Sequence, residues 1–175
     1  YDALMESIDP KQASDGPRTA IIGAGPAGIA AAYFLAREGL PVTVYEREQL
    51  AGGLVRNIIP AFRIPDEAID RDVALAERMG AVFVTGKDAP TLEELRAQGF
   101  DSILLAFGAS KKGELPVEGN VLNAIDFLRA AKNEPGALTL GTSVAVVGGG
   151  NTAMDAARAA KRMGIPKVSI VYRRT

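Results

Sequence analysis

Apolar and polar positions divide the chain into short blocks whose period changes from one to the next. From Thr19 the apolar residues run to Gly23, small and apolar residues continue to about Ala36, Gly39 stops them, and Val42-Thr43-Val44-Tyr45 leads to Glu46. This pattern predicts strand, tight turn, helix, strand. Pro60 and Pro65 bracket Ala61-Phe62-Arg63-Ile64 and forbid a regular helix there. Asp66 is placed to cap a helix from Glu67 to about Met79, with Ile69, Val73, Leu75 and Ala76 on or near one face and Gly80 after it. Ala81 to Thr85 predicts a short strand. Thr91 to Gln98 predicts a short helix with a capping box of Thr91 and Glu94. Ser102 to Ala106 is an unbroken apolar run, the mark of a buried parallel strand. Val121 to Lys132 has helical spacing through Val121, Ile125, Phe127, Leu128 and Ala131, closed by Asn133 to Gly136. Ser143 to Val147, Met154 to Met163 and Val168 to Tyr172 then predict strand, helix and strand. The polar stretch Tyr1 to Gly16 is a linker or tail, with room for a helical turn or two over Ala3 to Ile8. Strands alternating with helices predict an α/β chain of Rossmann-like parallel-sheet units.

The turns between these blocks carry the chemistry. Gly23, Gly25 and Gly28 fall at the G-x-G-x-x-G spacing between a strand and a helix. Gly23 allows the sharp turn, Gly25 lets a pyrophosphate approach the backbone, and Gly28 lets the helix pack on the sheet. The free N–H groups at the helix start, and its dipole, favour phosphate. Glu46 closes the second strand, where a carboxylate accepts hydrogen bonds from both ribose hydroxyls of an adenosine and repels a 2′-phosphate. Glycine turns also join strands to helices for structural reasons alone; the acid at this distance is what points to a dinucleotide. Gly52-Gly53 predicts a loop that passes close to something, either a plain turn or a second approach to the same ligand. Gly108 ends the Ser102 strand and suggests a third approach.

The opening pattern then returns. Gly148-Gly149-Gly150-Asn151-Thr152-Ala153 reads G-x-G-x-x-A after a strand, with Gly148 standing 125 residues beyond Gly23. At the tip of the next strand stand Arg173 and Arg174, where the first unit has Glu46. Paired arginines hold a 2′-phosphate with charge-assisted bonds; their structural alternative is a solvated strand end. The first site is therefore expected to take FAD or NAD, and the second to prefer NADPH over NADH.

Composition narrows the chemistry. The chain has 175 residues, 47% of them hydrophobic, and a formal net charge of −1, so nothing global points to nucleic acid or an anionic membrane. There is no cysteine and no histidine. Disulfides, iron–sulfur ligation within the chain and the commonest general base are thereby excluded, and any chemistry falls to a bound group. Ala20 to Ala36 is slightly short for a membrane span and is broken by Pro26 and glycines, so it reads as a buried strand and helix, and the cytoplasm is the expected location.

Two dinucleotide units, a Gly-Gly loop after the first acid and a strand ending Ala-Phe-Gly-Ala resemble the two-dinucleotide flavoprotein superfamily. The runs GGLVRNIIPAFRIP and VAVVGGGNTAMDAARAAKRMG…VSIVYRRT are similar to the small subunit of NADPH-dependent glutamate synthase and its relatives, among them the flavin and NADPH portion of dihydropyrimidine dehydrogenase. In its NIIPAFRIP stretch the chain most resembles iron–sulfur subunits described as selenate reductases. The resemblance covers Arg18 to Thr175. It implies FAD contacts at Gly23, Gly25, Pro26, Ala27, Glu46, Arg47, Gly53, Leu54 and Gly108, and NADPH contacts at Gly149, Gly150, Asn151, Thr152, Arg173 and Arg174. It further implies that electrons leave through iron–sulfur clusters in other domains or subunits. The chain departs from the pattern in three ways: the cysteine-rich cluster segments are absent, the second unit stops after its second strand, and the Gly-Gly-Asp return to the flavin is missing. Two substitutions depart as well. Phe107 replaces the usual Thr of an Ala-Thr-Gly motif, and Lys87 to Pro90 replaces the usual Val-Gly-containing stretch.

These features, and a first residue other than Met, make the expectation a piece of a larger FAD- and NADPH-dependent oxidoreductase. Its expected layout is a tail to residue 16, a partial FAD domain over 17–110, a connector over 111–142 and a partial NADPH domain over 143–175. No side chain stands out as acid, base, nucleophile or metal ligand. Competing readings are a dinucleotide-binding module without turnover, an NAD(P)-dependent dehydrogenase without flavin, and, more remotely, an S-adenosylmethionine-binding fold.

Overall fold

The computed structural model describes residues 7–9, 11–12, 14–109, 113 and 118–173. Arg174 and most of the Ala3 to Ile8 segment lie outside the described residues. The chain groups into two compact units, one of residues 1–56 and 66–109, the other of 57–65 and 110–175.

The first unit is a parallel sheet in the order β3-β2-β1-β4, with β1 Thr19–Ile22, β2 Val42–Tyr45, β3 Val82–Val84 and β4 Ser102–Leu105. Pairing runs Thr19 with Val42, Thr43 with Val82 and Thr19 with Ser102. Its helices are α1 Pro26–Arg37, α2 Gly53–Asn57, α3 Asp66–Arg78 and α4 Leu92–Ala97. On one face Ala20, Tyr45, Leu95 and Phe100 form a buried cluster with Ile22, Val84 and Ile103 packed on it. On the other, α1 lies against β1, β2 and α3. The two-residue side-chain period explains this: Ala20 and Ile22 point to α4 while Ile21, fully buried, points to α1. The capping box forms as expected, with Thr91 N–H donating to Glu94 at 2.8 Å and Glu94 N–H to the Thr91 hydroxyl at 3.2 Å.

The second unit pairs β5 Ser143–Val147 with β6 Lys167–Val171 in parallel, Val147 opposite Val171. Helices α5 Ala124–Asn133 and α6 Asn151–Arg162 pack together, and α6 packs on both strands. Their core is Phe127, Leu128, Ala156, Ala159, Ala160, Ile165 and, from far back in the sequence, Ile58. Burying one such isoleucine stabilises by about 1.5–3 kcal/mol. Asn57–Pro65 is fastened here by Lys132 Nζ donating to the Ile59 carbonyl at 3.1 Å, Asn133 donating to the Asn57 carbonyl at 3.1 Å, and an Arg63–Asp155 ion pair at 3.0 Å. The sequence layout keeps this segment with residues 17–110, whereas its contacts are with the second unit.

Several local expectations need correction. The Ser102 strand is parallel but not buried: it is the edge of its sheet, and Leu104 and Leu105 are exposed while only Ile103 faces the core. Its unbroken apolar run therefore does not report burial on both faces. The helix expected from Val121 starts at Ala124, because Asn123 accepts the Ile125 N–H at 2.9 Å and so caps it. The helix expected from Met154 begins at Asn151, immediately after the glycine turn. Asp66 is the first residue of α3 rather than its cap, and Gly53 opens a short helix where only a loop is expected.

Candidate functional site

In the first unit the carboxyl ends of β1, β2 and β4 bring together the glycine turn, Glu46 and the Ala106–Gly108 segment. Gly23 N–H donates to the Tyr45 carbonyl at 2.8 Å and Ala106 N–H to the Ile22 carbonyl at 2.8 Å, so the turn rises between the two neighbouring strands. A Cβ on Gly23 would lie 2.7 Å from the Ala106 carbonyl oxygen, and one on Gly28 would lie 1.9 Å from the Gly23 carbonyl oxygen. Both glycines are thus required by the fold itself. The Gly52-Gly53 loop joins them: Gly52 N–H donates to the Ala24 carbonyl at 2.7 Å, and a Cβ on Gly53 would meet Gly25 Cα at 2.9 Å. The close approach expected at Gly53 is to the first glycine loop.

Gly25 is different. It caps α1 with φ −75° and ψ −177°, which any residue adopts, and a Cβ there would have as its nearest described neighbour only Gly53 Cα, at 4.0 Å. Pro26 and Ala27 follow as exposed first residues of α1. Pro26 lacks an N–H, and Gly25 has no side chain to cover the remaining ones. Glu46 is buried, and its oxygens accept the Ala24 N–H at 2.8 Å and the Glu48 N–H at 2.9 Å. A carboxylate has about four acceptor positions, so two hydrogen bonds leave capacity for hydroxyl donors. Arg47 and Leu54 are exposed beside this group in sequence, and Gly108 is exposed with φ +72°.

The second unit repeats the scheme. Gly148 N–H donates to the Val171 carbonyl at 2.9 Å, as Gly23 does to Tyr45. Gly150 caps α6 with φ −84° and ψ 178°, and among the described residues nothing lies within 4 Å of a Cβ placed on it. Asn151 and Thr152 are the exposed first residues of α6. Gly149, by contrast, lies under the Tyr172 ring, 2.8 Å from where its Cβ would be.

These two hydrogen bonds fix the correspondence between units and correct the sequence alignment of the strand tips. Gly23 matches Gly148, Ala24 matches Gly149 and Tyr45 matches Val171, so Glu46 matches Tyr172. Arg173, exposed, is one residue further on and matches Arg47. Counting from apolar runs overshoots by one because β6 ends at Val171, not at the aromatic Tyr172.

Comparison with known proteins identifies the family. The family model for pyridine nucleotide-disulphide oxidoreductases matches residues 17–175. The chain belongs to that family. YgfK of Escherichia coli (strain K12), an oxidoreductase by name, is 51% identical over 172 residues, which are 94% of this chain and 17% of that protein. The beta subunit of the NADPH-Fe(3+) oxidoreductase of Geobacter sulfurreducens (strain DL-1 / KN400) is 42% identical over 191 residues, 100% of this chain and 28% of the subunit. Among solved structures, 2-naphthoyl-CoA reductase superposes with a TM-score of 0.72 at 26% identity, over 95% of this chain and 24% of that one. The chain thus spans less than a third of these relatives' length. Membership in the family is a coarser statement than the likeness to glutamate synthase drawn from sequence. Among the described residues no helix is long and apolar enough to cross a membrane.

Several residues of this chain escape a reading of the sequence. Arg56 is buried, donates to the Ala51 carbonyl and pairs with Asp70, which ties α2 to α3. Phe62 lies under two guanidinium groups, Arg158 at 5.1 Å and Arg162 at 4.4 Å. Asp155 is buried on the alanine face of α6 and meets Arg63. A charged residue on a face otherwise of alanines is the signal that could have marked Asp155.

Proposed function

We propose that this chain is the nucleotide-binding part of an FAD- and NADPH-dependent oxidoreductase, with FAD held by the first unit and NADPH by the second. The observation that carries the reading is the pair Gly25 and Gly150. Each caps a helix in an ordinary backbone conformation, and among the described residues a would-be Cβ would meet only Gly53 Cα, at 4.0 Å from Gly25, and nothing within 4 Å of Gly150. The chain itself gives no reason for glycine at either place, whereas a diphosphate approaching the helix N-terminus does.

In the first unit the N–H groups of α1 would take the FAD diphosphate and Glu46 its adenosine ribose, with Arg47, Gly53, Leu54 and Gly108 bordering the site. In the second the N–H groups of α6, with Asn151 and Thr152, would take the NADPH diphosphate, and Arg173 with Arg174 the 2′-phosphate. The bound pair supplies hydride transfer between nicotinamide and flavin, with electrons passing on to iron–sulfur or other acceptors in partner domains of a glutamate synthase-like enzyme. The side chains here bind and orient; proximity and orientation are the protein's contribution.

The test is Gly25→Ala and Gly150→Ala, each titrated calorimetrically with FAD and with NADP⁺. Neither change should shift the melting temperature of the ligand-free protein by more than about 2 °C, because neither methyl would crowd a described protein atom. Gly25→Ala should weaken FAD binding at least about tenfold and spare NADP⁺; Gly150→Ala should do the reverse. Unaltered binding in both variants sinks the reading.

A further inference from the structure

The Gly52-Gly53 loop closes on Gly25, yet its own backbone does little to keep it there. Gly52 and Gly53 both have positive φ, +129° and +53°. Glycine enters that region freely and leaves it as freely. The loop is held instead by its neighbours. Toward the first glycine turn, Gly52 N–H donates to the Ala24 carbonyl at 2.7 Å, and a Cβ on Gly53 would meet Gly25 Cα at 2.9 Å. A Cβ on Gly52 would meet Arg56 Cβ at 2.7 Å and Ile69 Cγ2 at 2.9 Å, so Arg56 and α3 wall the loop. The Arg56 guanidinium also grips the residue just before the glycines. Its Nε donates to the carbonyl of buried Ala51, and the same group pairs with Asp70 of α3.

We infer that Arg56 is a positioning residue of the first nucleotide site. It holds the Gly52-Gly53 loop at a fixed spacing from Gly25, so that both glycine loops present their backbones to one FAD diphosphate. The inference rests on the FAD reading of the first unit and deepens it. Two observations favour it over a purely structural tie between α2 and α3. A buried guanidinium costs desolvation that an apolar side chain of similar length avoids, so packing alone gives no reason for arginine. One arm of that guanidinium reaches a loop carbonyl rather than a helix, one residue before the N–H that meets Ala24. A charge-assisted bond from a planar fork fixes direction as well as distance. A loop released from Arg56 spends part of its time away from Gly25, and the apparent affinity for the ligand falls with the closed fraction.

The experiment compares the wild-type 175-residue chain with Arg56→Met and Arg56→Lys, by calorimetric titration with FAD and by amide hydrogen exchange without ligand. Methionine removes every donor, and lysine keeps a charged one. Arg56→Met should weaken FAD binding about tenfold or more, as a loop closed roughly a tenth of the time requires. Arg56→Lys should recover part of that loss. In the methionine variant the Gly52 amide should lose protection while the amides of β1 and β2 keep theirs, a pattern that a general loss of stability does not produce. If the methionine variant does not fold, the lysine variant carries the test, with a smaller loss in the same direction. A wild type that binds FAD, with the folded variants equal to it, overturns the role of Arg56 and leaves the FAD reading standing. Binding that weakens only where β1 and β2 lose protection as well overturns that role too, since it marks general destabilisation. A wild type that binds no FAD overturns the FAD reading and this inference with it.

Discussion

The two glycine turns share their strand pairing and their helix start, and differ in how tightly the rest of the chain closes on them. In the first unit the turn touches protein on three sides: the Ala106–Phe107 backbone against Gly23, the Gly52-Gly53 loop against Ala24 and Gly25, and the Glu46 carboxylate on the Ala24 N–H. In the second the only such described neighbours are Tyr172 over Gly149 and Ala153 at 3.4 Å from a Cβ on Gly148. The same spacing of glycines therefore answers different needs. In the first unit Gly23, Gly28 and Gly53 are required by the protein and Gly25 is not; in the second Gly149 is required by a side chain and Gly150 is not.

The contrast is sharpest at the third small residue of each motif. A methyl on Gly28 would sit 1.9 Å from a carbonyl oxygen, deep inside contact distance, whereas the second unit carries Ala153 at the matching place and buries it. Gly28→Ala should therefore cost about 3 kcal/mol or more and lower the melting temperature by roughly 6–12 °C. The reciprocal Ala153→Gly, in the first turn of α6, should cost only about 0.5–1 kcal/mol. Thermal melts of the two variants check this. Equal losses would mean that the two turns are packed alike and that the comparison is wrong.

A smaller effect separates the two reasons for a glycine at position 149. If the Tyr172 ring sets the requirement, Gly149→Ala destabilises by about 1 kcal/mol, because an exposed ring can partly yield. In a Tyr172→Ala background the same substitution should then be close to neutral, a coupling that a double-mutant cycle in urea measures directly. Additive losses would assign the glycine to something other than the ring.

How much of this was legible beforehand follows from which interactions are local. Strand, turn and helix around Gly23 and Gly148 are set by neighbours a few residues apart, and so are the Thr91–Glu94 capping box and the helix from Asp66. The α/β class follows from their alternation. What was not legible depends on register and on distant partners. Which residue ends β6 against the turn is settled by a hydrogen bond from Gly148 to Val171, twenty-three residues away, whereas apolar character alone extends the strand to Tyr172. Ile58 belongs to a core whose other members lie beyond residue 126, and nothing in NIIPAFRIP announces that its first isoleucine will be buried by Phe127 and Leu128. Leu104 and Leu105 read as buried because β-strand sequence reports apolarity, not whether a helix covers the strand.

The helix starts of the two units offer the smallest and most selective contrast. In the first, the Thr91 backbone N–H and hydroxyl both donate to Glu94 and hold its carboxyl below the ordinary glutamate range. In the second, Asn123 caps Ile125 with a neutral amide oxygen. A carboxyl with a depressed folded-state pKa stabilises fully above its unfolded value, and that contribution disappears as pH falls through the lower, folded one. Acidification should therefore loosen the start of α4 before it touches the start of α5. Amide hydrogen exchange, corrected for its intrinsic pH dependence, should show Thr91 losing protection as pH drops below the usual glutamate range, with Ile125 unchanged. Glu94→Gln should flatten the Thr91 profile, since the amide oxygen still accepts but no longer titrates. A profile that stays steep in this variant would place the acid sensitivity of the first unit elsewhere than in its capping box.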